Sequence, residues 1–135
     1  MDRAQVVESL SRYFRGRRDI VAAYLFGSVA RDRAGKHSDV DVGLILGSRA
    51  PRQLADLLPL QTTQDDLGAL LHRAVDVVPM NGASPDLLHR ILRDGILVHE
   101  SDHHRRIEFE VRARSEYFDL LPILERYRRT VLGSI

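Results

Sequence analysis

The chain has no cysteine, a single lysine and no surplus of either charge. Without cysteine there can be neither disulfides nor thiolate metal sites. Lys plus Arg number 20 against 19 Asp plus Glu, and a net charge of +1 leaves no electrostatic footprint for direct nucleic-acid binding. Nineteen of the 20 basic residues are Arg, a bias that fits a GC-rich coding background as well as it fits phosphate contacts. No apolar run approaches the ~20 residues that span a bilayer, and Met1-Asp-Arg-Ala-Gln5 lacks a signal-peptide pattern. A soluble, cytoplasmic protein with no membrane partner is expected. Repeats, low-complexity tracts and linkers are missing too, so the 135 residues are expected to form one domain, 1–135. That length allows a real core but not a catalytic head plus separate substrate domains.

What the chain does have is Gly27 to Asp41, GSVARDRAGKHSDVD: a Gly-Ser pair, ten residues, then Asp-x-Asp. The apolar, strand-forming run Ile20 to Phe26 ends abruptly at Gly27, and Asp39-Val-Asp-Val-Gly-Leu-Ile-Leu46 alternates before turning apolar. Gly27 and Ser28 are therefore expected on the turn after one strand, and Asp39 and Asp41 at the start of the next. Side chains two apart on a strand share a face, so the two carboxylates should converge. Like charges held together call for a cation, and magnesium takes one or two carboxylates while keeping water and phosphate oxygens in its shell. Gly27 would let the backbone approach a phosphate and Ser28 would add a hydroxyl donor. With 13 Asp in the chain, an isolated Asp-x-Asp is expected about once by chance. Requiring Gly-Ser at the one correct distance reduces that to roughly half a percent, which makes the combination informative.

Helical spacing of Val6, Val7, Leu10, Tyr13 and Phe14 predicts a helix over 2–15, stopped at Gly16. Strands follow at 20–26 and 40–46, with a turn over Gly47 to Pro51 and Pro51 in the first turn of the next helix. That helix should reach about His72, with a break near Pro59 and the polar Gln61-Thr-Thr-Gln64. A third strand is expected at 74–79, then a helix capped by Ser84, opened by Pro85 and ended at Gly95. Ile96 to His99 reads as an edge strand. Ser101 should cap a long final helix that Pro122 kinks or divides. Together these give an α/β (α+β) fold, helices packed on a small mixed sheet, with a long C-terminal helical segment.

GSVARDRAGKHSDVD resembles the defining motif of the nucleotidyltransferase superfamily that includes DNA polymerase beta, the CCA-adding enzymes and antibiotic nucleotidyltransferases. The resemblance implies that Asp39 and Asp41 hold a pair of magnesium ions and that a third carboxylate comes from a later strand. Asp76, in Ala74-Val-Asp-Val-Val78, is the candidate. At this size the chain is similar to the minimal nucleotidyltransferases, the MNT antitoxins that accompany HEPN-domain toxins. Val75 to Glu100 and Arg105 to Arg129 are like the second half of that family.

The resemblance implies transfer of AMP from ATP to a tyrosine hydroxyl of a HEPN RNase toxin, in a hetero-oligomer with it. Asp39, Asp41 and Asp76 would be the catalytic, magnesium-holding residues, and Gly27, Ser28 and Arg31 would grip the β- and γ-phosphates. Asp76 is also a possible general base. Lys36 and His37 read as a solvated loop, Ser38 as a local turn residue, and His99, His103 and His104 as surface histidines rather than a second metal site. Tyr117, Phe118 and Tyr127 form either a docking surface for the partner or part of the domain's own packing. Two alternatives stand beside the catalytic antitoxin: a non-catalytic one that neutralises its toxin by complex formation, and a small-molecule (antibiotic) nucleotidyltransferase. Nucleic-acid polymerisation has no template-binding or primer-binding domain to support it.

Overall fold

A computed structural model describes residues 1–33, 35, 38–47 and 54–133, the side chains of 54–58 and 132 excepted. Its elements are α1 (Arg3–Phe14), β1 (Ile20–Phe26), α2 (Gly27–Ala30), β2 (Val40–Leu46), α3 (Leu54–Leu71), β3 (Val75–Pro79), α4 (Pro85–Asp94), β4 (Ile96–Glu100) and α5 (His103–Leu132). The strands form one mixed sheet in the order β3-β2-β1-β4. β1 runs antiparallel to both neighbours, while β2 and β3 are parallel, joined by the crossover helix α3.

β1 has no polar alternation because helices cover both of its faces. Ile20, Ala23 and Leu25 pack with Val6, Leu10 and Phe14 of α1 and Leu67 and Leu71 of α3. Val21, Ala22 and Tyr24 face Leu88 and Ile91 of α4 and Ala113 of α5. A register shift between Ile20 and Ala22 puts the consecutive Val21 and Ala22 in the same cluster. Fully burying a Leu, Ile or Phe contributes about 1.5–3 kcal/mol each, so this two-sided core is what holds the sheet rigid under the site.

Local chemistry sets the element ends. The Asp2 carboxylate accepts from Gln5 N–H at 2.8 Å and the Gln5 side chain accepts from Asp2 N–H at 2.8 Å, a reciprocal cap on α1. Ser84 accepts from Leu87 N–H at 3.2 Å and Pro85 opens α4. For α5 the expected cap shifts by one residue. Asp102 accepts from Arg105 N–H at 3.1 Å, whereas Ser101 is still tied to β1, donating from its hydroxyl to Ile20 O at 2.6 Å.

Neither expected interruption divides its helix. α3 runs on from Leu54 through Pro59 to Leu71. Leu60, Leu67 and Leu71 are buried, Thr63 donates to Pro59 O at 2.9 Å, and Gln64 Oε1 accepts from Val77 N–H at 3.0 Å. Tertiary packing and these paired polar groups offset the one helical hydrogen bond that proline removes. α5 likewise continues through Pro122, where the surface is exposed and water can serve the carbonyl left over. The turn expected over Gly47 to Pro51 falls mostly outside the described residues, as do Lys36 and His37.

The outer strands are blunted. On β3 the Gln64 side chain takes the Val77 amide, and Pro79 has none to offer. On β4, Ser11 of α1 donates to Val98 O at 2.8 Å. Among the described residues no helix is long and apolar enough to cross a membrane.

Candidate active site

β1 ends at Phe26, which pairs with Asp41 across the antiparallel ladder, and the chain then turns at once into α2. Gly27 makes that turn with φ of +78°, in the left-handed region that disfavours any side chain. A Cβ at Gly27 would also collide with the Asp41 carboxylate oxygen, so the carboxylate lies directly against the Gly27 backbone. Two independent constraints therefore require glycine here. On its other side Asp41 is level with Asp76, its partner in the parallel β2–β3 register. The crossover through α3 is what brings residues 35 apart in sequence to adjacent strands.

The electrostatics follow from this placement. The Asp41 carboxyl is raised above its usual range, first by partial burial, then by the negative charge of Asp76, then by that of Asp39. All three carboxylates thus act on one point. Asp41 is half-buried on β2, Asp76 is exposed on β3, and Asp39 is exposed just before β2 begins. Among the described residues no three acidic or histidine side chains are already gathered as a metal-holding group.

Gly27, Arg31, Asp41 and Asp76 line a single cleft of about 340 Å³, within the range of small-ligand sites. Ser28 and Asp39 are not part of its wall. Phe26, Val78 and Leu87 give the cleft an apolar side, and Arg90, Arg93 and Asp94 of α4 complete it. Arg93 is paired with Asp94 through two hydrogen bonds, Nε to Oδ1 at 3.1 Å and Nη2 to Oδ2 at 2.9 Å. That contact, with the charge of nearby Arg31 adding to it, holds the Asp94 carboxyl below the usual carboxylate range. Arg90 is held more loosely, 3.8 Å from Asp86.

The α4 residues were missed in the sequence. Their signal is faint: Arg90, Arg93 and Asp94 form the polar face of a helix whose opposite face, Leu88 and Ile91, is core, and such a face ordinarily only meets water. Ser38 behaves as a turn residue, its hydroxyl accepting from Gly35 N–H at 2.8 Å. The histidines are placed separately: His99 Nε2 lies 3.1 Å from Arg17 O, His103 pairs with Glu100 at 2.8 Å, and His104 with Glu108 at 2.9 Å. Tyr117 is half-buried and stacks on His89 with ring centroids 3.8 Å apart, whereas Phe118 and Tyr127 are exposed.

A glycine turn after a central strand, set against carboxylates of the next two strands in one cleft, is the framework of a nucleotidyl-transfer enzyme. The sequence profile of the polymerase beta nucleotidyltransferases matches residues 8–104, and the chain belongs to that family. A solved candidate minimal nucleotidyltransferase shares 33% identity with it, covering 71% of this chain and 95% of the other, with a TM-score of 0.52. A toxin–antitoxin crystal structure with AMP-PNP superposes over 99% of this chain and 98% of the other, at a TM-score of 0.68 and 19% identity. The MNT antitoxin structure with the tri-AMPylated Shewanella oneidensis HEPN toxin gives a TM-score of 0.60 at 18% identity, over 98% and 93% of the two chains. At those identities the last two likenesses speak for the fold. No curated protein matches the chain.

Proposed function

We propose that this protein is an antitoxin that transfers AMP from ATP to a tyrosine hydroxyl of a HEPN RNase toxin, acting as a single domain in the cytoplasm, where ATP is available. The observation that carries this reading is the level placement of Asp41 and Asp76 on parallel strands, against the Gly27 turn and in one cleft. The partner comes from the neighbouring folds: one similar structure is a toxin–antitoxin with AMP-PNP, and another holds an AMPylated HEPN toxin.

The donor set suits magnesium. It is three carboxylates, all hard oxygen ligands, and the Asp41 carboxyl is raised first by burial and then by the charges of Asp76 and Asp39, both of which a divalent cation offsets. Asp39, Asp41 and Asp76 would hold the two ions. Bound magnesium supplies neutralisation of the triphosphate and a lower pKa for the acceptor hydroxyl. The remaining work belongs to the chain. Gly27 lets the triphosphate approach the backbone, Ser28 offers a hydroxyl, and Arg31 answers the charge that builds on the leaving pyrophosphate. The phenolic oxygen bonds to the α-phosphorus as the bond to the bridging β-phosphate oxygen breaks. Asp76, which is exposed on the outer strand, would accept the phenolic proton as pyrophosphate leaves.

Label transfer from ATP labelled at the α-phosphate tests this. Wild type with magnesium should label a small partner protein in native lysate, while a γ-labelled control and the Asp39→Asn/Asp41→Asn variant should not. If the double variant still neutralises the toxin in cells, neutralisation is by occlusion and the catalytic reading fails.

A further inference from the structure

Asp39 is exposed and lies outside the β2 ladder, yet the site needs it in register with Asp41. Its two neighbours are both held from the junction between α3 and β3. On one side, Val40 N–H donates to Ala74 O at 2.9 Å. On the other, the Arg73 guanidinium straddles the preceding loop: Nε and Nη2 donate to Ser38 O at 3.1 and 2.7 Å, and Nη2 also reaches Gly35 O at 3.2 Å. Ser38 closes the same turn, donating from its N–H to Gly35 O at 3.2 Å and accepting Gly35 N–H on its hydroxyl.

We propose that Arg73 is a positioning residue for the transfer reaction: its forked guanidinium grips the carbonyls of Gly35 and Ser38 and so fixes the direction in which Asp39 leaves the loop. The proposal rests on the functional reading above and deepens it.

The fork matters because three contacts on two carbonyls need a planar group with several fixed donors, which an ammonium on a flexible stem cannot reproduce. The placement of Arg73 is itself built in. α3 stops at Leu71, and His72 takes φ of +53°, the left-handed turn that commonly ends a helix and sends the chain off at an angle. Arg73 therefore emerges beside the loop, with Ala74 and then Asp76 following on β3. One stretch of four residues thus bonds the backbone on both sides of Asp39 and supplies Asp76.

Arg73→Ala and Arg73→Lys, compared with wild type, test this in two measurements. The first is amide hydrogen exchange without metal or nucleotide, and the second is Mn²⁺ titration followed by electron paramagnetic resonance. Both variants should speed exchange at Gly35 and across residues 38–41 by about tenfold, leave β1 exchange unchanged, and weaken Mn²⁺ binding by about tenfold. Unchanged exchange at Gly35 and over 38–41 in Arg73→Ala would overturn the proposal. Full retention of loop protection and Mn²⁺ affinity by Arg73→Lys would overturn the role of the fork. Faster exchange reaching β1 in both variants would also overturn it, because Arg73 would then be holding the fold and not the loop. Exchange is read without ATP or acceptor, so a protein that shows the local response but transfers no AMP would sink the functional reading alone.

Discussion

Tyr24 on β1 donates its phenolic hydrogen to Glu110 on α5, in the layer between the sheet and the long helix. Burial first, and then the neighbouring carboxylate, push the Tyr24 hydroxyl well above its ordinary pKa, so it stays a donor. Arg106 completes the cluster, donating to Glu110 at 2.8 Å and to Glu100 at 2.6 Å. Glu110 is thus a buried carboxylate with every role filled. Glu110→Ala should cost about 2 kcal/mol in urea denaturation, since it leaves the Tyr24 hydroxyl buried without an acceptor while Arg106 keeps its pairing with Glu100. Tyr24→Phe, which spares the ion pair, should cost only about 1 kcal/mol.

Gly27 and Gly16 separate two effects of the same substitution. Both have positive φ, +78° and +83°, but a Cβ at Gly16 meets nothing within 4 Å whereas one at Gly27 strikes the Asp41 carboxylate. Gly16→Ala should lose about 1 kcal/mol of stability to backbone strain and keep its transfer rate. Gly27→Ala should lose a similar amount and, in addition, at least about 100-fold in AMP transfer, through displacement of Asp41. Equal transfer rates for the two variants would contradict the placement of Asp41 described here.

The raised Asp41 carboxyl gives a signed pH dependence. A carboxyl whose folded pKa lies above its unfolded value favours the fold at low pH, and that contribution is lost as pH rises through the folded value. At neutral pH without divalent cations Asp41 therefore works against stability. Asp41→Asn should raise Tm at neutral pH while abolishing transfer, and the gain should disappear on acidification below the unfolded pKa of about 3.9. Magnesium should narrow the difference by stabilising wild type alone. A variant with lower Tm than wild type at neutral pH would contradict this account.

Phe118 and Tyr127 are 62% and 64% exposed, on the part of α5 that carries few buried residues. Packing against the domain's own sheet does not describe them, although Tyr117 does turn inward onto His89. Phe118→Ser with Tyr127→Ser should leave Tm and AMP-PNP affinity unchanged and weaken binding to the proposed HEPN partner at least tenfold, measured by titration calorimetry. Unchanged toxin affinity would remove this helix from the interface.

The strands were legible in the sequence because they are written locally: 20–26 and 40–46 are apolar runs bounded by glycine and aspartate. Asp76 was singled out only because the family resemblance implies a third carboxylate on a later strand. The pairing of Asp41 with Asp76 depends on the crossover of α3, which no spacing encodes. The Arg73 clamp depends on a left-handed turn at His72, a residue with no strong preference for it. Pro59 and Ser101 misled for one common reason: tertiary partners, the core leucines in one case and β1 in the other, outweighed the local preference.

The blunted outer strands have a consequence for how this protein can change over evolutionary time. With the Val77 amide and the Val98 carbonyl already engaged by side chains of the same chain, one ladder position on each outer strand is closed to another polypeptide. Recognition through side chains of a helix such as α5 leaves Asp41 and Asp76 untouched. A lineage could change what it recognises by substitution along α5, while the strands that carry Asp41 and Asp76 stay unaltered.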